Sequence, residues 1–117
     1  MASYNSINGE KCHGSSYLFN DLLKERLNFQ GFVISDWRGI DELEGSYKQD
    51  IITSINAGID MVMVPGDTIW GGEHYKKFIK LLKESIEEES ISMDRINDAV
   101  RRILKVKFEI DLFNHPK

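Results

Sequence analysis

Gly31-Phe32-Val33-Ile34-Ser35-Asp36-Trp37-Arg38-Gly39 is the stretch on which the fold turns. Gly31 closes the unit before it. The apolar run from Phe32 to Ser35 follows, and the chain then breaks into an acid, an aromatic and a base. An unbroken apolar run of this length predicts a strand buried on both faces, which is the mark of a parallel sheet. Parallel neighbours need crossovers, and the flanks supply them. Upstream, Leu18, Leu22, Leu23 and Leu27 recur at helical spacing behind Ser15 or Ser16 as a cap. Downstream, past the acid-rich loop Asp36 to Gly45, Tyr47, Ile51 and Ile55 stand one turn apart, and Gly58 is placed to stop their helix.

The same rhythm extends to both ends. Met1 to Tyr4 predicts a short strand closed by the polar turn Asn5 to Gly9, and Met61 to Val64 predicts a third strand ended by Pro65-Gly66. After a Gly-containing loop, Tyr75, Phe78, Ile79, Leu82 and Ile86 trace another helix. Ser92 caps a last one, with Ile96, Val100, Ile103 and Leu104 on one face and Arg101, Arg102, Lys105 and Lys107 in its final turns, where cations suit the helix dipole. The expectation is α/β: three β/α units plus a terminal helix. An eight-stranded barrel needs about 250 residues, so 117 residues make either a minimal three-stranded domain or an arc of something larger. A chain that opens inside a strand, with no basic and apolar leader, points to missing upstream sequence.

Composition narrows the function classes. With 41% hydrophobic and 29% charged residues, nine Gly and two Pro, the chain is neither disordered nor low in complexity. A net charge of −4 and no contiguous basic stripe argue against nucleic acid as a partner. No apolar run reaches the roughly 18 residues of a membrane span. The single Cys12 excludes an intrachain disulfide, and His13, His74 and His115 fall on separate loops without metal-ligand spacing, so no metal or cofactor is expected.

The chemistry is expected at Asp36. Catalytic groups of β/α proteins come from the carboxyl ends of strands. A carboxylate there beside Trp37 suits a sugar: the ring packs on a pyranose face while the carboxylate meets the anomeric carbon. The alternative is that Asp36 caps its loop and Trp37 packs in the core. Tyr4, at the end of the first strand, could donate to a neighbouring strand-end carboxylate or be an ordinary strand residue. Asp60 precedes its strand, at the far end from the site, and reads as structural. Met61 and Met63 read as core fillers. Asp41, Glu42 and Glu44 read as the start of the second helix, although they could supply another carboxylate.

Five collinear blocks resemble a known family. They are Met1 to Gly9, Tyr17-Leu18 through Leu22-Leu23-Lys24, Gly31 to Trp37, Ala57 to Pro65, and Arg95 to Leu104, with Leu112-Phe113 and Pro116 also fitting. Together they are similar to the glycoside hydrolase family 3 β-glucosidases, most of all to the plant-type β-D-glucan exohydrolase branch. The resemblance implies that residues 1–117 are the last three β/α units and terminal helix of a (β/α)8 TIM-type barrel, incomplete on their own. The missing barrel half and an α/β sandwich domain would be the partners, with self-association through open sheet edges as the substitute. It implies exo-acting, retaining hydrolysis of β-glucosides or β-glucans, with Asp36 as the nucleophile, Trp37 lining the sugar site, Tyr4 beside the nucleophile and Met1 close to the sugar. The acid/base Glu would belong to the second domain. Family members are often secreted. Glu42 stands where plant members often carry Arg, and Asp111 where they carry Gly. A non-catalytic β/α fragment serving binding or assembly is the rival expectation.

Overall fold

The computed structural model describes residues 1–66 and 74–115. Of the loop expected from Gly66 to Glu73, residues 67–73 with the Gly71-Gly72 turn lie outside the described residues, as does Pro116. In chain order come β1 (Ser6–Ile7), β2 (Glu10–Lys11), a 3₁₀ turn (Cys12–Gly14), a π-helix (Tyr17–Arg26), a second 3₁₀ turn (Gly39–Glu42), α1 (Tyr47–Asn56), α2 (His74–Glu87) and α3 (Met93–Glu109).

The three expected strand segments lie side by side, with the Phe32 to Ser35 stretch in the middle. Ala2 N–H donates to Ile34 O at 2.8 Å, Ser35 N–H to Met61 O at 2.9 Å, and Asp60 N–H to Val33 O at 2.8 Å. Ile34 and Met61 make a parallel bridge. The expectation of regular strands is nevertheless corrected, because the pairing is carried by these few bonds and not by continuous ladders. Among the described residues the outer two segments each have a neighbour on one side only, and such short edges do not sustain a regular pleat.

The only named sheet among the described residues lies where a bare turn was expected. β1 and β2 pair antiparallel, with Ser6 opposite Lys11 and Ile7 opposite Glu10. Between them Asn8 (φ 52°) and Gly9 (φ 85°) both take left-handed backbone, the geometry that Asn-Gly favours in two-residue hairpins. The expected leucine helix is also present but wound differently. Its i→i+5 bonding widens each turn, continued by Leu27 N–H to Leu22 O at 2.9 Å. The buried stripe therefore leaves the 3.6-residue spacing: Phe19 is buried and Leu27 is exposed.

α1 follows the sequence closely. Ser46 Oγ accepts the Gln49 N–H at 3.3 Å, Ile51 and Ile55 are buried in the core with Ala2, Phe19, Val33, Ile40, Ile59 and Ile91, and Gly58 turns the chain away at φ +112°. A side chain at Gly58 would also strike Asn20 Oδ1 at 2.5 Å. Ser92 caps α3 by accepting the Arg95 N–H at 3.2 Å. Phe78, Leu82, Ile86 and Ile96 pack on the core from α2 and α3. Tyr75, Ile79, Val100 and Leu104, expected on the same faces, are instead exposed; the apolar stripes of these two helices are wider than the surface they cover.

Asp60 has the structural role expected of it. Its side chain is fully buried; it accepts Val33 N–H at 2.7 Å and Lys24 Nζ at 2.8 Å, and pairs with Arg95. Arg95 also donates to Ile55 O at 2.9 Å, Ile59 O at 3.1 Å and Asp98 at 2.7 Å. Arg102 joins Asp98 to Phe29 O at 2.8 Å and Gly31 O at 3.0 Å. Burial alone would raise the Asp98 carboxyl, but Arg102, Lys24 and Arg95 pull it below the usual range. The cluster fastens the π-helix and α3 to the start of the central segment, and so sets where that segment ends.

Candidate active site

The central segment ends at Asp36, and every backbone N–H from Ser35 to Gly39 has a partner. Ser35 N–H reaches Met61 O. Asp36 N–H donates to His13 Nε2 at 3.0 Å, and Trp37 N–H to Asp36 Oδ1 at 2.7 Å. Arg38 N–H donates to Met63 O at 3.2 Å and Gly39 N–H to Asp36 O at 3.0 Å. Ser35, itself buried, adds a side-chain link: its Oγ donates to Asp36 O at 2.9 Å and accepts Met63 N–H at 2.8 Å. Arg38 then turns the chain with left-handed backbone (φ 54°), a conformation that costs a non-glycine residue about 1–2 kcal/mol and that its N–H bond and its Nε contact to Asp41 at 3.0 Å hold in place. The carboxylate of Asp36 does secure its own loop through Oδ1, as the capping alternative requires. Its Oδ2 accepts no hydrogen bond from any described residue.

Trp37 is 45% exposed, which removes the reading of it as a core residue. Tyr4 is 42% exposed, with its ring centroid 5.9 Å from that of His13. Partial desolvation, and after it the Asp36 carboxylate, push the Tyr4 hydroxyl above its ordinary value. Tyr4, His13 and Asp36 therefore share one small region, and the exposed Trp37 follows Asp36 in the chain. Met1 is 76% exposed at the start of the same segment as Tyr4. An open cleft of about 630 Å³ lies between the hairpin turn and α1, lined by Glu10, Lys11, Leu43 and Asp50 among others; Asp36 does not line it.

Asp41, Glu42 and Glu44 do not open α1, which begins five residues after Glu42 behind the Ser46 cap. Asp41 lies instead between Arg38 Nε at 3.0 Å and His74 Nε2 at 3.3 Å, and Glu42 is 3.7 Å from Lys11. The three histidines are not equivalent. His74 starts α2 and stacks on Tyr47 with centroids 4.6 Å apart, and His115 is exposed beside Asp111. His13 is 1% exposed, directly behind Asp36. Burial pushes its imidazole below the ordinary value of 6.5, only partly offset by the Asp36 charge and a hydrogen bond to the Ser3 backbone. Because Nε2 accepts an N–H, the ring is the neutral Nδ1–H tautomer. Sequence spacing offered no sign of this contact, which spans 23 positions; the only hint was the small Gly39, whose missing Cβ makes room for the ring.

A family model described as "Glycosyl hydrolase family 3 N terminal domain" matches residues 1–106. Beta-glucosidase 1 of Saccharomycopsis fibuligera is 37% identical over 97% of this chain, which covers 12% of that protein. The lysosomal beta glucosidase of Dictyostelium discoideum is 31% identical over 99% of the chain and 14% of its own length. Among solved structures, an exo-1,3/1,4-beta-glucanase from a Pseudoalteromonas species aligns with a TM-score of 0.79 at 40% identity, over 92% of this chain and 16% of that one. The beta-glucosidase from Listeria innocua in complex with glucose aligns with a TM-score of 0.80 at 26% identity, over 97% and 15%. The chain thus spans roughly one seventh of the proteins it matches. A family match across nine-tenths of its residues, with relatives of the same kind in sequence and in fold, establishes that the chain belongs to glycosyl hydrolase family 3.

Proposed function

We propose that this chain supplies the nucleophile side of a retaining β-glucosidase or β-glucanase site, as the last three β/α units of a family barrel. Asp36 attacks the anomeric carbon of a β-glucoside, the glycosidic C–O bond breaks, and the leaving oxygen takes a proton from an acid carried elsewhere in the enzyme. Water then attacks the glycosyl ester, the sugar departs, and the Asp36 carboxylate is restored. Trp37 offers a ring face to the sugar, Tyr4 stands beside the nucleophile, and Met1 lies near the bound ring. The observation that carries this reading is the position of Asp36. It sits at the end of the central segment with its backbone bonded on both sides and one carboxylate oxygen without a hydrogen bond from described residues, beside an exposed Trp37.

The test grafts residues 1–106 in place of the matching segment of the full-length Pseudoalteromonas glucanase and treats the product with a 2-deoxy-2-fluoro-β-glucoside, which traps a glycosyl-enzyme. Peptide mapping finds the sugar on Asp36, and Asp36→Asn abolishes turnover of an aryl β-glucoside. Label on another carboxylate, or more than about a tenth of kcat left in the variant, only ~1.4 kcal/mol of barrier, overturns the assignment.

A further inference from the structure

We propose that His13 is a positioning residue for Asp36: its buried imidazole accepts the Asp36 N–H and holds the nucleophile's peptide in the orientation that aims the carboxylate. The inference rests on Asp36 being the nucleophile, and its test separates the two.

The backbone creates the need. A strand-end N–H inside the protein must have an acceptor, and at Asp36 the chain is already leaving the sheet. Ser35 and Arg38 find carbonyls on the Met61 to Met63 segment, whereas Asp36 N–H takes His13 Nε2 at 3.0 Å. The next N–H, that of Trp37, is bonded to Asp36 Oδ1 at 2.7 Å. The carboxylate is thereby tied to the Asp36–Trp37 peptide, and His13 holds the Ser35–Asp36 peptide immediately before it, so a rotation of that first peptide turns the Asp36 backbone from which the carboxylate is carried.

His13 is held in turn. It sits in the 3₁₀ turn Cys12–Gly14 with its ring 1% exposed and a hydrogen bond to the Ser3 backbone. Gly39 closes the arrangement, because a Cβ there would run into the imidazole at Nε2. A Cβ at Gly14, one residue on, would lie 3.1 Å from Leu43, so the turn has little freedom to retreat. A displacement of about 1 Å at a nucleophile is enough to lower a rate by about 10²-fold.

The experiment uses the grafted glucanase and follows both steady-state kinetics and the rate of inactivation by the fluoro-sugar. His13→Leu, which fills the site but accepts no hydrogen bond, is expected to lower kcat and the inactivation rate by about 10- to 100-fold with KM changed less than about threefold. His13→Gln, whose amide oxygen can reach the Nε2 position, is expected to recover at least about tenfold over His13→Leu. His13→Asn, too short to do so, is not. Gly39→Ala should reproduce the His13→Leu defect, and the two changes together should be no worse than either, as expected for one shared interaction. Equal rates for Gln, Asn and Leu variants with unchanged thermal midpoints overturn the inference, as does a His13→Leu rate within about threefold of the parent. If the unsubstituted graft carries the fluoro-sugar on a residue other than Asp36, it is the nucleophile reading that falls.

Discussion

Consider Asp60→Asn, which removes one negative charge and leaves the shape of the side chain almost unchanged. The Asp60 carboxylate is fully buried, and its two cationic partners are nearly so, the Lys24 side chain 8% and the Arg95 side chain 12% exposed. Breaking a buried pair from one side leaves a cation uncompensated in low dielectric, typically a loss of about 3–5 kcal/mol. The remaining partners moderate this. Arg95 keeps Asp98 and two carbonyls, and Lys24 keeps Gly58 O at 2.8 Å. The expected loss is therefore at the lower end, about 3 kcal/mol, out of the roughly 5–15 kcal/mol usual for a domain. With a urea slope of roughly 2 kcal/mol per molar, the unfolding midpoint falls by about 1.5 M in circular dichroism at fixed protein concentration.

Two further signs identify the cause as the stranded lysine. Adding Lys24→Met should restore at least about 1 kcal/mol, since it removes the cation along with its lost partner. Burial already lowers the Lys24 amine, and Asp60 is what chiefly holds it up. In the variant the unfolded chain binds that proton more tightly than the folded one, so the deficit should narrow as pH rises toward the ordinary lysine value of 10.5. A loss under about 1 kcal/mol, or a Lys24→Met change that simply adds its own full loss, refutes the reasoning.

Other outcomes follow from the same geometry. His13 is neutral in the fold with its imidazole below 6.5, so the unfolded chain takes up a proton first and stability is lost as pH falls below that value; thermal melts of His13→Gln should lack this component, and identical pH curves would contradict it. Leu27, Phe29, Val100, Leu104, Phe108 and Phe113 are all exposed, so the isolated chain should self-associate at micromolar concentration; sedimentation as a clean monomer with a sharp, concentration-independent melt would refute this. Met1, Tyr4 and Trp37 leave the Asp36 region open to water, so the isolated chain should turn over cellobiose and laminaribiose far below about 1 s⁻¹; a rate on the order of 1 s⁻¹ would show that the site is complete as it stands.

Much of this was legible along the chain because it depends on neighbours in sequence. The α1 helix announced itself through the spacing of Tyr47, Ile51 and Ile55, α3 through its Ser92 cap and apolar spacing, Gly58 through its stop, and the Phe32 to Ser35 run through its unbroken apolarity, which also put Asp36 at the end of its segment; the Ser46 cap of α1 was hidden behind the acids that precede it. Where local patterns compete with packing, the reading slipped. Four leucines predicted an ordinary helix, but the segment winds wider and buries Phe19. The Asn8-Gly9 turn was recognisable, whereas the two-residue strands beside it were too short to show a period. Val100 and Leu104 carry the right spacing and still face outward.

What tertiary structure alone decided is the surroundings of Asp36. His13 lies 23 positions from it, and the Asp60 cluster joins residues 35 and 36 positions apart. Neither is written as a spacing, because a hydrogen bond or buried ion pair between distant residues depends on where the chain has already been brought by packing. Sequence by itself determined the helices, the order of the segments and the carboxylate at the end of the central one. The fold decided which acceptor meets that residue's N–H, and therefore which way its carboxylate can point, because a buried N–H takes whichever acceptor the packed chain presents to it.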